Sequence, residues 1–202
     1  VSTPADPRPG AVEPSAAADV PGLALWELTA PADLRRGRDP AVRDRLRAFA
    51  GRITGGVAIE ARQDEIVRAY RVCFRHVGLD PDAERTPYEA AVLERLRHGG
   101  FRSRDVLADA LLLALLDTKV AVVAFDDALV AGGLRLTVVQ ETGTIVVADD
   151  VQPVAPLFGA PLGGVAPTPD TEVARLAAVT PGGVPAIAAW EALDRVADLI
   201  AP

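Results

Sequence analysis

The run from Asp105 to Asp127, DVLADALLLALLDTKVAVVAFDD, decides how this chain folds, because it carries the longest apolar density in the sequence. Asp105 stands as an N-cap, its carboxylate free to accept from amides of the first turn. Behind it Val106, Leu107, Ala110, Leu111, Ala114 and Leu115 recur at helical spacing. Leu112, Leu113 and Leu116 widen that face until the helix is apolar nearly all round, which predicts burial on more than one side. Asp117-Thr118-Lys119 breaks the pattern. Val120 to Phe125 is then a β-branched run without alternation, the mark of a strand covered on both faces, and Asp126-Asp127 ends it. The block is about twenty residues long, enough for a membrane span, but Asp109, Asp117 and Lys119 lie inside it and make lipid burial costly. The expectation is a buried helix feeding a central strand.

Working outward toward the N-terminus, Thr86-Pro87-Tyr88-Glu89 is a helix start, with Thr86 capping, proline at the first position and glutamate three residues on. That helix ends near His98-Gly99-Gly100. A helix over Gln63–Val77 places Ile66, Val67, Tyr70, Cys73, Phe74 and Val77 inward, with Gly78 closing it. Asp39-Pro40 opens another over 41–53, with Val42, Leu46 and Phe49 on one side. Thr54-Gly55-Gly56 reads as a loop. Leu23 to Leu28 reads as a first strand. Residues 1–20, rich in Ala, Pro and acid and without periodicity, read as a mobile tail before a single domain at 21–202.

Toward the C-terminus the composition turns to strand material. LRLTVV (134–139) and TIVVA (144–148), joined by Glu141-Thr142-Gly143, predict a hairpin. Residues 151–168 are rich in Pro and Gly and read as irregular, and TEVARLAAV (171–179) fits strand and helix equally. A final helix over 185–200 has Ile187, Trp190, Leu193 and Val196-Ala197 as its inner face. Helices early, strands late and a strand before the helices argue an α+β fold with helices stacked on a mixed sheet.

The chain has 202 residues, half of them hydrophobic, with a net charge of −7. Residues 34–104 hold sixteen arginines against ten acids, whereas the remainder is strongly acidic. Such a basic half either meets nucleic acid or solvates helix faces, and the acidic whole favours the second. One cysteine excludes an internal disulfide. The N-terminus lacks a basic region followed by an apolar one, so the expectation is a soluble cytoplasmic protein without a membrane anchor.

Three segments share an order and spacing: Tyr70-Arg71…Gly78-Leu79-Asp80-Pro81…Arg85…Glu89-Ala90, then DALLLALLDTKVAVVAFD from Asp109, then IVVADD from Ile145. Together they resemble stand-alone proteins related to the B3/B4 domain of the phenylalanyl-tRNA synthetase beta subunit, over about Gly22 to Ile200. The resemblance implies a three-layer α+β fold, with a β-sandwich part and helices packed on one side. In the synthetase this domain hydrolyses tyrosine wrongly attached to tRNA, so the resemblance implies binding of tRNA or aminoacyl-tRNA with deacylation in trans. The chain departs from the synthetase where that chemistry sits. Leu111 and Leu112 replace a polar asparagine, Val123 replaces a histidine, and Leu176-Ala177-Ala178 stands where a glutamate is expected. Ester hydrolysis needs an oriented water and oxyanion donors, which such side chains cannot supply. The alternatives are a non-catalytic binding or scaffold protein, with a protein partner, and an accessory protein for an amino acid-like small molecule.

The polar residues expected to line a ligand groove are Arg71, Arg85 and Lys119, with Asp109 and Asp126 nearby. Arg85 and Glu89 also stand one helical turn apart and can pair with each other. Asp126-Asp127 and Asp149-Asp150 follow strands and read as turn formers before they read as a Mg²⁺ or acid–base pair. Two histidines at helix ends and one cysteine give no metal spacing, and no cofactor motif is present.

Overall fold

A computed structural model describes residues 6–37 and 39–202. In chain order these form β1 (Arg8–Pro9), β2 (Ala11–Val12), α1 (Pro14–Asp19), β3 (Ala24–Pro31), α2 (Pro40–Arg52), α3 (Gly55–Glu60), α4 (Glu65–His76) and α5 (Pro87–His98). There follow α6 (Val106–Thr118), β4 (Val122–Asp126), β5 (Arg135–Val139), β6 (Thr144–Ala148), β7 (Pro153–Pro156), β8 (Val173–Thr180) and α7 (Ala186–Ile200). The fold is mixed α+β. One four-stranded sheet runs β1-β3-β8-β4 with antiparallel pairs. The other runs β2-β5-β6-β7, antiparallel except for the short parallel β2–β5 pair.

Strand alternation divides the apolar residues among the layers. Leu28, Ala30, Ala124, Ala174 and Leu176 of the first sheet pack against α6 and α7. Leu25, Phe125, Ala177 and Val179 pack against Leu136, Ile145, Val147 and Val154 of the second sheet. A third cluster joins α2, α4 and α5 to Leu113 and Leu116 of α6. Helix α6 therefore serves two clusters, Ala110 and Ala114 facing the sheet and Leu113 and Leu116 facing the outer helices. Its all-round apolarity is the signature of that middle position. Asp105 caps it by accepting from the Ala108 amide at 2.8 Å.

Several expectations change. The strand after α6 is apolar on both faces as expected, but it is the edge strand and not a central one. Face coverage leaves its mark on side chains, whereas lateral position depends on partners far along the chain. The middle of that sheet is β3 and β8, the second of which has a period that fits strand and helix equally. Helix α7 turns an alanine face inward, Ala188, Ala189 and Ala192 with Leu193, while Ile187 and Trp190 are 55% and 38% exposed. Small residues let α7 lie close on the alanines of β8, and Trp190 instead meets Trp26 edge-on at 5.4 Å. Thr54 is not in a loop but caps α3, and β7 lies within the stretch read as irregular.

The expected N-terminal tail is also revised. Val1–Ala5 lie outside the described residues, but residues 6–20 add β1 to one sheet and β2 to the other, and they bury Ala16 and Val20. Gly10 is the crossing point: its N–H donates to Leu25 O at 2.8 Å, and a Cβ there would lie 2.6 Å from Leu25 Cδ2.

Candidate functional site

Each of the five polar residues expected to line a groove is engaged in holding elements together. Arg71 is almost sealed from water and donates to Glu89 Oε1 at 2.7 Å, to Asp82 Oδ1 at 3.0 Å and to the Pro81 carbonyl at 3.3 Å. Glu89 also accepts from Thr86 Oγ1 at 2.7 Å, so the helix-start signature carries a buried ion pair that clamps α5 to α4. The hydrogen bond from Arg71, with Arg62 and Arg85 nearby, holds the Asp82 carboxyl below the usual aspartate range. Arg85 pairs with Asp82 at 3.3 Å and not with Glu89, whose carboxylate is turned inward under Arg71. Lys119, itself left-handed at φ 62°, reaches Asp64 at 2.7 Å and ties the end of α6 to the cap of α4.

Asp109 is buried and accepts from Ser103 Oγ at 2.5 Å and the Arg104 amide at 3.0 Å, closing the loop before α6. Asp126 accepts from Thr171 Oγ1 at 2.6 Å and the Ala128 amide at 3.1 Å. Asp127 pairs with Arg175 at 2.6 Å. Asp149 accepts from the amides of Ala131, Val151 and Gln152. Burial would raise its pKa, but those three donors and Arg135 outweigh it and leave the carboxyl below its ordinary value. These strand-end acids thus form turns. Among the described residues no group of three or more His, Cys, Asp or Glu is arranged to hold a metal ion. Cys73 is buried, which pushes its thiol pKa up to about 11, so it is no nucleophile at neutral pH.

Asp109 also lines a pocket of about 280 Å³ with Glu94, His98 and Arg102, and Arg85 a smaller one of about 120 Å³ with Arg62 and Glu89. A third space, beside β4, is apolar. A groove of about 420 Å³ runs beside β4, with Leu107 and Leu111 of α6 on one wall, Val122, Val123 and Ala124 as its floor, and the loop Phe158–Pro161 with Ala166 and Pro167 opposite. Leu111 and Val123, the positions where polar editing groups are expected by resemblance, lie in this one groove, and Ala177 lines a space of about 30 Å³ adjoining it. Asp105 is the ionisable residue on its wall, and its carboxylate caps α6. Among the described residues no strand pairs with the outer side of β4. The Asp126 amide points outward, to Val165 O at 3.0 Å, so alternation turns the peptide groups of Ala124 and Val122 the same way.

The groove joins an apolar floor to outward-facing backbone donors and acceptors. It can hold an apolar group and hydrogen-bond an amide. Sequence reasoning located Leu111 and Val123 as departures from a pattern, and it missed the 158–167 wall, whose signal was its Pro and Gly content. A scan against protein-family models and a search of the curated proteins both gave no match.

Part of the basic half is paired with acids. Arg45, Arg47, Arg62, Arg71 and Arg85 each pair with a carboxylate within 4.0 Å. No helix among the described residues is long and apolar enough to cross a membrane.

Proposed function

We propose that this chain is a non-hydrolytic binding protein of the B3/B4 kind, which receives a small amino acid-like ligand in the groove beside β4. The observation that carries the reading is the apolar character of Leu111 and Val123 within one groove floored by an unpaired strand edge. The apolar side chain of the ligand fills the 420 Å³ space, and its amide or amino acid backbone meets the peptide groups of Ala124 and Val122. Burial of one leucine-sized group there is worth about 2 kcal/mol and two backbone hydrogen bonds add about 1 kcal/mol each, so binding of a single residue is expected at about 1 mM.

The tRNA reading asks residues 34–104 to meet phosphate, and the carboxylate pairing of their arginines weakens that claim. A single experiment separates the two. Purified protein is titrated calorimetrically with N-acetyl-leucinamide, then incubated with aminoacyl-tRNA across a salt series. Saturable binding that Leu111→Glu abolishes, with no release of the amino acid from tRNA, is the expected result. Deacylation above background, or tRNA binding that tightens steeply at low salt while the small amide does not bind, would overturn it.

A further inference from the structure

Phe158 stands at φ 58°, in the left-handed region that bulky side chains rarely enter. The turn is closed by the Gly159 amide donating to Pro156 O at 3.0 Å. The ring is held by Tyr70, with centroids 5.0 Å apart, and by Phe74 at 5.7 Å and nearly parallel. In this position it walls three spaces at once. One is the 420 Å³ groove beside β4, one is the 30 Å³ space near Ala177 and Val179, and the third is a cavity of about 470 Å³. The large cavity has an apolar floor of Val77, Leu79, Ile145 and Leu157 and opens beside Asp19 and His76. Groove and cavity each fall within the usual size of small-molecule sites, about 300–1,000 Å³, and the space between them has about the room of one water.

We propose that Phe158 is a movable partition, and that groove and inner cavity are two halves of one site for an amphiphile with an amide head and an unbranched acyl chain. The inference rests on the groove reading given above and extends it to the class of ligand. The amide head meets the outer edge of β4. The chain runs past Phe158, along Val123 and Val179, onto the floor at Ile145 and Leu157. A return of Phe158 to ordinary backbone geometry relieves its strain, and that relief offsets the separation of its ring from Tyr70 and Phe74. No ionisable side chain lines the 30 Å³ passage, so a charged chain is excluded from it.

The test is a calorimetric series of N-acylglycinamides, from acetyl to decanoyl, on the full chain. Wild type should gain about fourfold in affinity per added methylene, continuing beyond the chain length that fills the outer groove. Phe158→Trp, which enlarges the partition itself, should abolish the gain from longer chains. Thr144→Trp, at an exposed position on the rim of the inner cavity and outside the groove, should bind acetyl and butanoyl forms within about twofold of wild type and likewise gain nothing from longer chains. A wild-type plateau at butanoyl, or an unbroken rise in both variants, would overturn the partition while the groove reading survives. Failure of N-acetyl-leucinamide to bind in the same calorimeter would overturn the groove reading, and the partition with it.

Discussion

Glu89 and Arg71 are 7% and 8% exposed, so removing either takes from the other its nearest charged partner at 2.7 Å, leaving Arg71 with Asp82 at 3.0 Å or Glu89 with Arg62 at 3.6 Å. Glu89→Ala should cost about 3 kcal/mol in urea unfolding, whereas Glu89→Leu combined with Arg71→Met should cost clearly less, since no orphan charge remains. Asp149 gives a pH-dependent counterpart. Its folded pKa is depressed, so its contribution is full above the ordinary aspartate value of about 3.9 and is lost as pH falls through the folded value. Asp149→Asn should therefore cost about 2 kcal/mol at neutral pH, and its deficit against wild type should shrink below about pH 4 in the same unfolding assay. At this scale the sequence was readable where the interaction is local. The Asp39 and Asp105 caps and the Gly78 helix end all stand where spacing put them. The side-chain partners of Arg71, Lys119 and Asp126 lie 11 to 55 residues away, and no local pattern announces such distances.

The elements that sequence reading recovered are those long enough to show a period, and those it lost are short. β1 and β2 have two residues each, too few for alternation, yet they bridge the two sheets. The test of that bridge is Gly10→Ala. The new methyl meets Leu25, 1% exposed and fixed in the sandwich, so a loss of about 1–3 kcal/mol is expected in thermal or urea unfolding. An unchanged midpoint would mean that the N-terminal segment is not packed as described. The edge position of β4 and the alanine part of α7's inner face were missed for a related reason, while Leu193, Val196 and Ala197 are buried as expected. A continuous apolar run reports that both faces are covered, not what lies alongside, and small alanines score weakly as an inner face while deciding how closely α7 approaches β8.

For the molecule as a whole, α+β character was readable from the order of periodic segments, and the stacking of helices on one sheet and of that sheet on a second follows from three buried clusters. Charge was readable as a count but not as a set of pairs. Arg62, Arg71 and Arg85 of residues 34–104 gather around Asp82 and join helices there. The space on which the proposed function rests is an apolar groove at a sheet edge, a feature built by three segments that only the fold brings together. The most direct test is to follow backbone amide resonances while N-acetyl-leucinamide is added. The account expects saturable shifts at Val122 to Ala124, Leu107 to Leu111 and Phe158 to Gly159, reduced by Leu111→Glu. Shifts confined to the arginine-bearing helices α2 to α5, or none at millimolar ligand, would contradict it.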